Sequence, residues 1–128
     1  QPLARIRSYG VAGVDPAEMG IGPVPAMLIA MKRAGVTADD LDVVESNDDF
    51  AAQACAVNDL LGLASEKVNP NGGAVALGHP IGATGAILMT KLVHELHRTG
   101  KTLGAATMCI GGGQGIAVVV ESLSGGNS

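Results

Sequence analysis

Three polar residues stand in surroundings that suit chemistry better than packing. His79 lies in VALGHPIGATGA (75–86), between Gly78 and Pro80, where almost no neighbour carries a bulky side chain. A histidine recruited for packing sits among large apolar residues; one recruited for chemistry needs a backbone that lets a substrate come close. Cys109 lies in MCIGGGQGIA (108–117), and Gly111, Gly112 and Gly113 can present backbone N–H groups beside it, as an oxyanion hole requires. Asn47 opens the stretch NDDF (47–50). A thiol, an imidazole and a carboxamide around unhindered amides suit acyl chemistry. The competing reading is plain: a single cysteine near a strand end is usually a small buried hydrophobe.

The elements that must position these residues follow from periodicity and from glycine and proline. Alternation in ARIRSYG predicts a strand over 3–9. The loop MGIGPVP leads into a helix over about 24–34, with Met27, Ala30, Met31 and Ala34 on one face and Gly35 as its stop. LDVVES (41–46) is a short apolar strand, and Asn47, Asp48 and Asp49 then read as a helix start. That helix carries Phe50, Ala54, Val57 and Leu61 on one face, places Cys55 in the core, and stops at Gly62. Residues 69–78 read as a turn and a short strand ending at His79. Pro80 then begins a long helix striped by Ile81, Leu88, Leu92 and Leu96, with Lys91, Glu95 and Arg98 away from the stripe. TLGAATMC (102–109) and GIAVVVES (115–122) are strands joined by a tight turn too short for a parallel crossover, so the last strand runs antiparallel.

Alternating strands and helices imply an α/β fold on a mostly parallel sheet. Asn47, His79 and Cys109 each follow the end of a predicted strand, so they fall on one sheet edge, where open α/β sheets bind ligands. His79 also opens a helix, whose positive end favours a neutral imidazole fit to act as base or donor.

Composition narrows the alternatives. The chain has 128 residues and 47% hydrophobic residues, enough for one domain with a real core. Tyr9 and Phe50 are the only aromatics, so that core must be aliphatic. A net charge of −4, with no basic run interleaved with aromatics, argues against nucleic acid as the main partner. No apolar stretch is long enough to span a membrane, and no signal-peptide pattern opens the sequence. Cys55 and Cys109 then read as free thiols in a reducing cytoplasm.

NPNGGAVALGHPIGATGA (69–86) followed by MCIGGGQGIA resembles the C-terminal half of a thiolase, of the bacterial biosynthetic acetyl-CoA acetyltransferase type. SYGVAGVDPAEMGIGPVPA (8–26) and FAAQACAV (50–57) resemble segments of the same family in the same order. The match runs over residues 1–122, leaving 123–128 as an expected flexible tail.

The resemblance implies a three-layer α/β/α half with a five-stranded mixed sheet. It implies Claisen condensation of two acetyl-CoA molecules, or the reverse thiolysis of a 3-ketoacyl-CoA. His79 would activate a nucleophilic cysteine and help bind the thioester oxygen, and Cys109 would take or return the α-proton. Asn47 would hold a water in a first oxyanion hole, Gly111 would lend its N–H to a second, and Phe50 would line the acyl pocket. Coenzyme A would enter only as part of the substrate, with no metal and no dinucleotide. A homodimer or homotetramer is also implied.

Two departures from the family pattern stand out. The family's nucleophilic cysteine belongs to an N-terminal half that these residues do not include, so this part alone is expected to be inactive. The family motif NEAF reads NDDF here, which places Asp49 where a small residue lies beside the thioester path. Either Asp48 and Asp49 both merely favour a helix N-terminus, or Asp49 alters acyl selectivity or impairs turnover. The alternative from a different class is a non-catalytic folding or assembly module derived from a thiolase.

Other signals fail on spacing. TGKT (99–102) ends like a P-loop, but the required glycine is Glu95. His94 and His97 are three apart, not the four of a helical zinc pair. GIGPVP (20–25) lacks the third glycine of a dinucleotide fingerprint.

Overall fold

The computed structural model describes residues 1–123; the expected flexible tail lies, from residue 124 on, outside the described residues. Four strands, β1 (Ala4–Gly13), β2 (Val43–Ser46), β3 (Leu103–Ile110) and β4 (Gln114–Ser122), form one sheet in the order β1-β4-β3-β2. The helices are α1 (Pro23–Ala34), α2 (Ala51–Leu61), the one-turn α3 (Ala74–Leu77) and α4 (Thr84–Thr99). Short 3-10 helices occupy Pro16–Ile21 and Ser65–Lys67.

Alternate residues along the strands face opposite layers, as the pleat requires. Val44, Ala105, Ala117 and Val119 pack with Ala26, Met27, Ala30 and Met31 of α1 and with Val57 and Leu61 of α2. Their neighbours Val43, Ala106 and Val120 pack with Leu88, Leu92 and Leu96 of α4 on the other face. The three-layer expectation holds. Close packing of α1 depends on Gly10: a Cβ there would stand 2.3 Å from the Ala26 carbonyl oxygen. This glycine lies inside β1, which runs four residues past the expected end as it pairs with β4 down to Gly13↔Gln114.

The sheet is mixed, and the expectation of five strands on a mostly parallel sheet is wrong. Among the described strands, β2 and β3 alone pair in parallel; β4 is antiparallel to both β3 and β1. The missing strand is 69–78. Val68 makes a single bridge to Val44, and the chain then leaves the edge at Asn69, whose φ is 47°. The Asn69 carboxamide takes over the edge, accepting from Ser46 N–H at 2.9 Å and donating to Ser46 C=O at 2.8 Å. With the edge of β2 satisfied by a side chain, residues 74–77 wind into α3.

Helix boundaries also move. α2 begins at Ala51 with Phe50 as its cap residue and no side-chain cap, so Asn47, Asp48 and Asp49 do not start it. α4 begins at Thr84 rather than Pro80, and Ile81 is exposed outside its stripe. Cys55 is exposed, not core. Glu95 is buried, because Asn71 and Arg98 satisfy its carboxylate. His97 meets the Leu3 carbonyl at 2.8 Å, and Gly100 of TGKT closes α4 in the left-handed conformation.

Candidate active site

β2 and β3 run in parallel, so the residue after β2 and the last residues of β3 reach the same edge. Asn47 continues the ladder by donating its N–H to the Thr107 carbonyl at 2.9 Å. It is almost wholly buried. Cys109, one residue from the end of β3 and opposite Gly115 of β4, is buried beside it. His79 arrives by a different route from the expected one: it leaves α3 through Gly78, whose φ of 94° a side chain would resist. Added Cβ atoms at Gly78, Gly82 and Gly111 would meet nothing within 4 Å. The glycines around the imidazole and the thiol therefore border open space.

Thr84, the first residue of α4, fixes the ring. Its hydroxyl donates to the Pro80 carbonyl at 3.0 Å and lies 2.6 Å from His79 Nδ1. Asn47 Nδ2, which can only donate, stands 3.5 Å from the same Nδ1. A hydroxyl has one proton, so while it rests on Pro80 the Thr84 oxygen accepts from Nδ1–H, and in that tautomer Nε2 carries the lone pair a general base needs.

Asp49 ties the site together. Its Oδ1 accepts from Asn47 Nδ2 and stands 3.7 Å from His79 Nε2. Its Oδ2 accepts from the Cys109 thiol at 3.3 Å. Burial first, then the hydrogen bond to Asp49 and its charge, push the Cys109 thiol up to about 11. Cys109 is therefore protonated near neutral pH and suited to proton transfer more than to nucleophilic attack. Asp48 accepts from the Ala74 amide, capping α3 rather than α2.

The other expected site residues are less engaged. Phe50, beside Asp49, is 67% exposed. Gly111 is exposed, and its carbonyl accepts from Gln114 Nε2 at 3.3 Å. Gly112 and Gly113, at φ of 87° and 85°, form the turn between β3 and β4, and Gly113 accepts from Val14 N–H at 2.7 Å.

Sequence reasoning missed the support beneath the site. Glu45, two residues before Asn47, is fully buried and pairs with Lys91 of α4 at 2.7 Å. Lys91 also donates to the Gly72 carbonyl, holding the approach to α3 and His79. Thr84, Leu88, Lys91 and Glu95 recur at four- and three-residue steps. That spacing was the available signal that polar members of α4 face inward. Among the described residues no cluster of His, Cys, Asp and Glu is arranged to hold a metal ion. Nor is any helix long and apolar enough to cross a membrane.

Comparison with known proteins identifies the family. Residues 1–122 match the family described as thiolase, C-terminal domain. The chain is 61% identical to a beta-ketothiolase of Cupriavidus necator and 58% identical to an acetyl-CoA acetyltransferase of Escherichia coli, each over 96% of this chain. Among solved structures, the human mitochondrial 3-ketoacyl-CoA thiolase in complex with CoA superposes with a TM-score of 0.93 at 53% identity, over 95% of this chain. The chain spans 31% of the length of each of these proteins.

Proposed function

This chain belongs to the thiolase family as a C-terminal domain, and we propose that it supplies half of an active site acting on coenzyme A thioesters. The reaction is condensation of two acetyl-CoA molecules to acetoacetyl-CoA, or the reverse thiolysis. One observation carries the reading: an amide, an imidazole and a thiol from three separate segments meet around Asp49 at one sheet edge.

In condensation, Cys109 first releases its thiol proton to solvent; the thiolate then removes the α-proton of an acetyl thioester, forming S–H and leaving the electron pair on carbon. That carbon attacks an acyl group held by a cysteine of an N-terminal half, and the carbon–sulfur bond to that cysteine breaks. In the reverse direction the Cys109 thiol returns the proton. His79, with Nδ1 tied to Thr84, serves the distant nucleophile through Nε2 and stabilises the thioester oxygen. Asn47 holds a water in that first oxyanion hole, and the Gly111 N–H serves a second. Asp49 and Phe50 lie along the acyl path. The reading requires no metal and no dinucleotide, since coenzyme A enters with the substrate.

The partners are an N-terminal thiolase half, acyl-CoA, and further copies in a homodimer or homotetramer of the cytoplasm. Exposed Leu77 and Ile81, two residues either side of His79, support a covering partner at this edge. The test is a chimera in which residues 1–122 replace the matching third of the Escherichia coli relative. Acetoacetyl-CoA cleavage is expected there and not in the isolated chain. Cys109→Ala should abolish condensation while radioactive acetyl-CoA still labels the nucleophile; His79→Ala should impair both. A folded chimera without turnover would favour the non-catalytic module.

A further inference from the structure

We propose that Asp49 is a positioning residue that restrains Cys109: one carboxylate oxygen holds the thiol proton, the other the Asn47 amide, and a thioester must displace both contacts. The proposal rests on the reading of the site given above and assigns a role to the residue at which NDDF departs from NEAF.

The geometry is specific. A sulfur acts as base by forming an S–H bond with the substrate's proton while the carbon keeps its electron pair. With the Cys109 proton already bound and donated to Asp49 Oδ2 at 3.3 Å, the sulfur cannot accept another. Asp49 Oδ1 meanwhile accepts from Asn47 Nδ2 and lies 3.7 Å from His79 Nε2. An anionic oxygen thus stands between the two groups proposed to receive the thioester oxygen. Asn47 Oδ1 is buried without a hydrogen-bond partner among the described residues, so the carboxamide is turned with its donor end to Asp49. The titratable group facing Cys109 is Asp49, from the segment after β2; His79, from the loop before α4, meets the other oxygen of that carboxylate. Gly115 of β4 stands opposite.

The test is a pH titration of the Cys109 Cβ chemical shift in the 128-residue chain with isotopically labelled cysteine. Asp49→Asn removes the charge at constant shape, Asp49→Ala removes the contact, and Asp49→Glu keeps the charge. The unsubstituted chain should titrate well above the ordinary thiol value of 9.0, and Asp49→Glu should stay high. Asp49→Asn and Asp49→Ala should each fall by roughly one pH unit or more, about tenfold more thiolate near neutral pH. A merely structural role would not move this midpoint. Equal midpoints in the unsubstituted chain, Asp49→Asn and Asp49→Ala would overturn the proposal. So would an ordinary midpoint in the unsubstituted chain, whether from a missing contact or a missing fold. The titration needs neither substrate nor N-terminal half, so loss of turnover in the chimera and loss of this coupling are separate results.

Discussion

Lys91→Met should be among the most damaging single substitutions outside the site itself. Glu45 is fully buried, with Oε2 2.7 Å from the Lys91 ammonium and Oε1 without a partner among the described residues. Burial raises its carboxyl above the ordinary range, while the hydrogen bond to Lys91 and its charge pull the other way. Removing the lysine deletes the compensation and keeps the burial. Breaking a buried pair on one side costs about 3–5 kcal/mol, and the Gly72 carbonyl loses its donor as well. A domain of this size has only about 5–15 kcal/mol in total, so the variant should be marginal.

The sign with pH follows from the raised value. A carboxyl with raised folded pKa contributes stability that is complete below its unfolded pKa and lost as pH rises through the folded pKa. In Lys91→Met the penalty should therefore shrink on acidification, as Glu45 takes a proton. Urea unfolding near neutral pH and near pH 4.5, the ordinary carboxyl value, measures it, with Glu45→Gln/Lys91→Met as control. The double variant should recover most of the loss. A loss below about 1 kcal/mol for Lys91→Met would place the pair among ordinary surface ion pairs and refute the reasoning.

Three further outcomes follow from the same geometry. Because the folded Cys109 thiol sits near 11 against an ordinary 9.0, stability should be complete below about 9 and fall as pH rises toward about 11; Asp49→Asn should flatten that fall in thermal melts. Gly10→Ala should destabilise by about 1–3 kcal/mol, since its Cβ would strike backbone of α1, whereas Gly82→Ala meets open space and should leave the melting temperature near its starting value while lowering turnover in the chimera. Asp49→Ala should raise the condensation rate in the chimera, because it frees Cys109 and removes a charge that repels a forming enolate; a lower rate with the fold intact would place the carboxylate within the mechanism.

The sheet was legible where one strand is buried on two faces by local pattern, and illegible where a side chain replaced a strand. LDVVES, TLGAATMC and GIAVVVES carry short runs of small and apolar residues bounded by turn signals, and β2, β3 and β4 fall within a residue or two of the expected spans. The tight turn after β3 fixed the direction of β4. In 69–78 the same small apolar residues are compatible with a strand or a turn of helix. What decides between them is Asn69 on Ser46 and Asp48 on Ala74, contacts spanning 23 and 26 residues. No local window contains them.

The site shows the same division more sharply. Asn47 and Cys109 could be placed together because parallel strands carry their ends to one edge, a rule that needs only direction and order. His79 was placed at that edge for a wrong reason. It follows no strand, and it reaches the site because α3 turns the chain back and Lys91 pins Gly72 from α4. The two aspartates are the clearest failure of local reasoning. Acidic residues just before a helix suggest a cap, yet α2 receives none from them. Asp48 caps the distant α3, and Asp49 turns to Cys109 across 60 residues of sequence. A carboxylate finds its most favourable donor in space, and here a buried thiol and a buried carboxamide outcompete an exposed helix end that water can solvate. That preference makes the departure from NEAF chemically consequential: a charge that would be inert at a helix terminus stands instead between the base and the oxyanion donors.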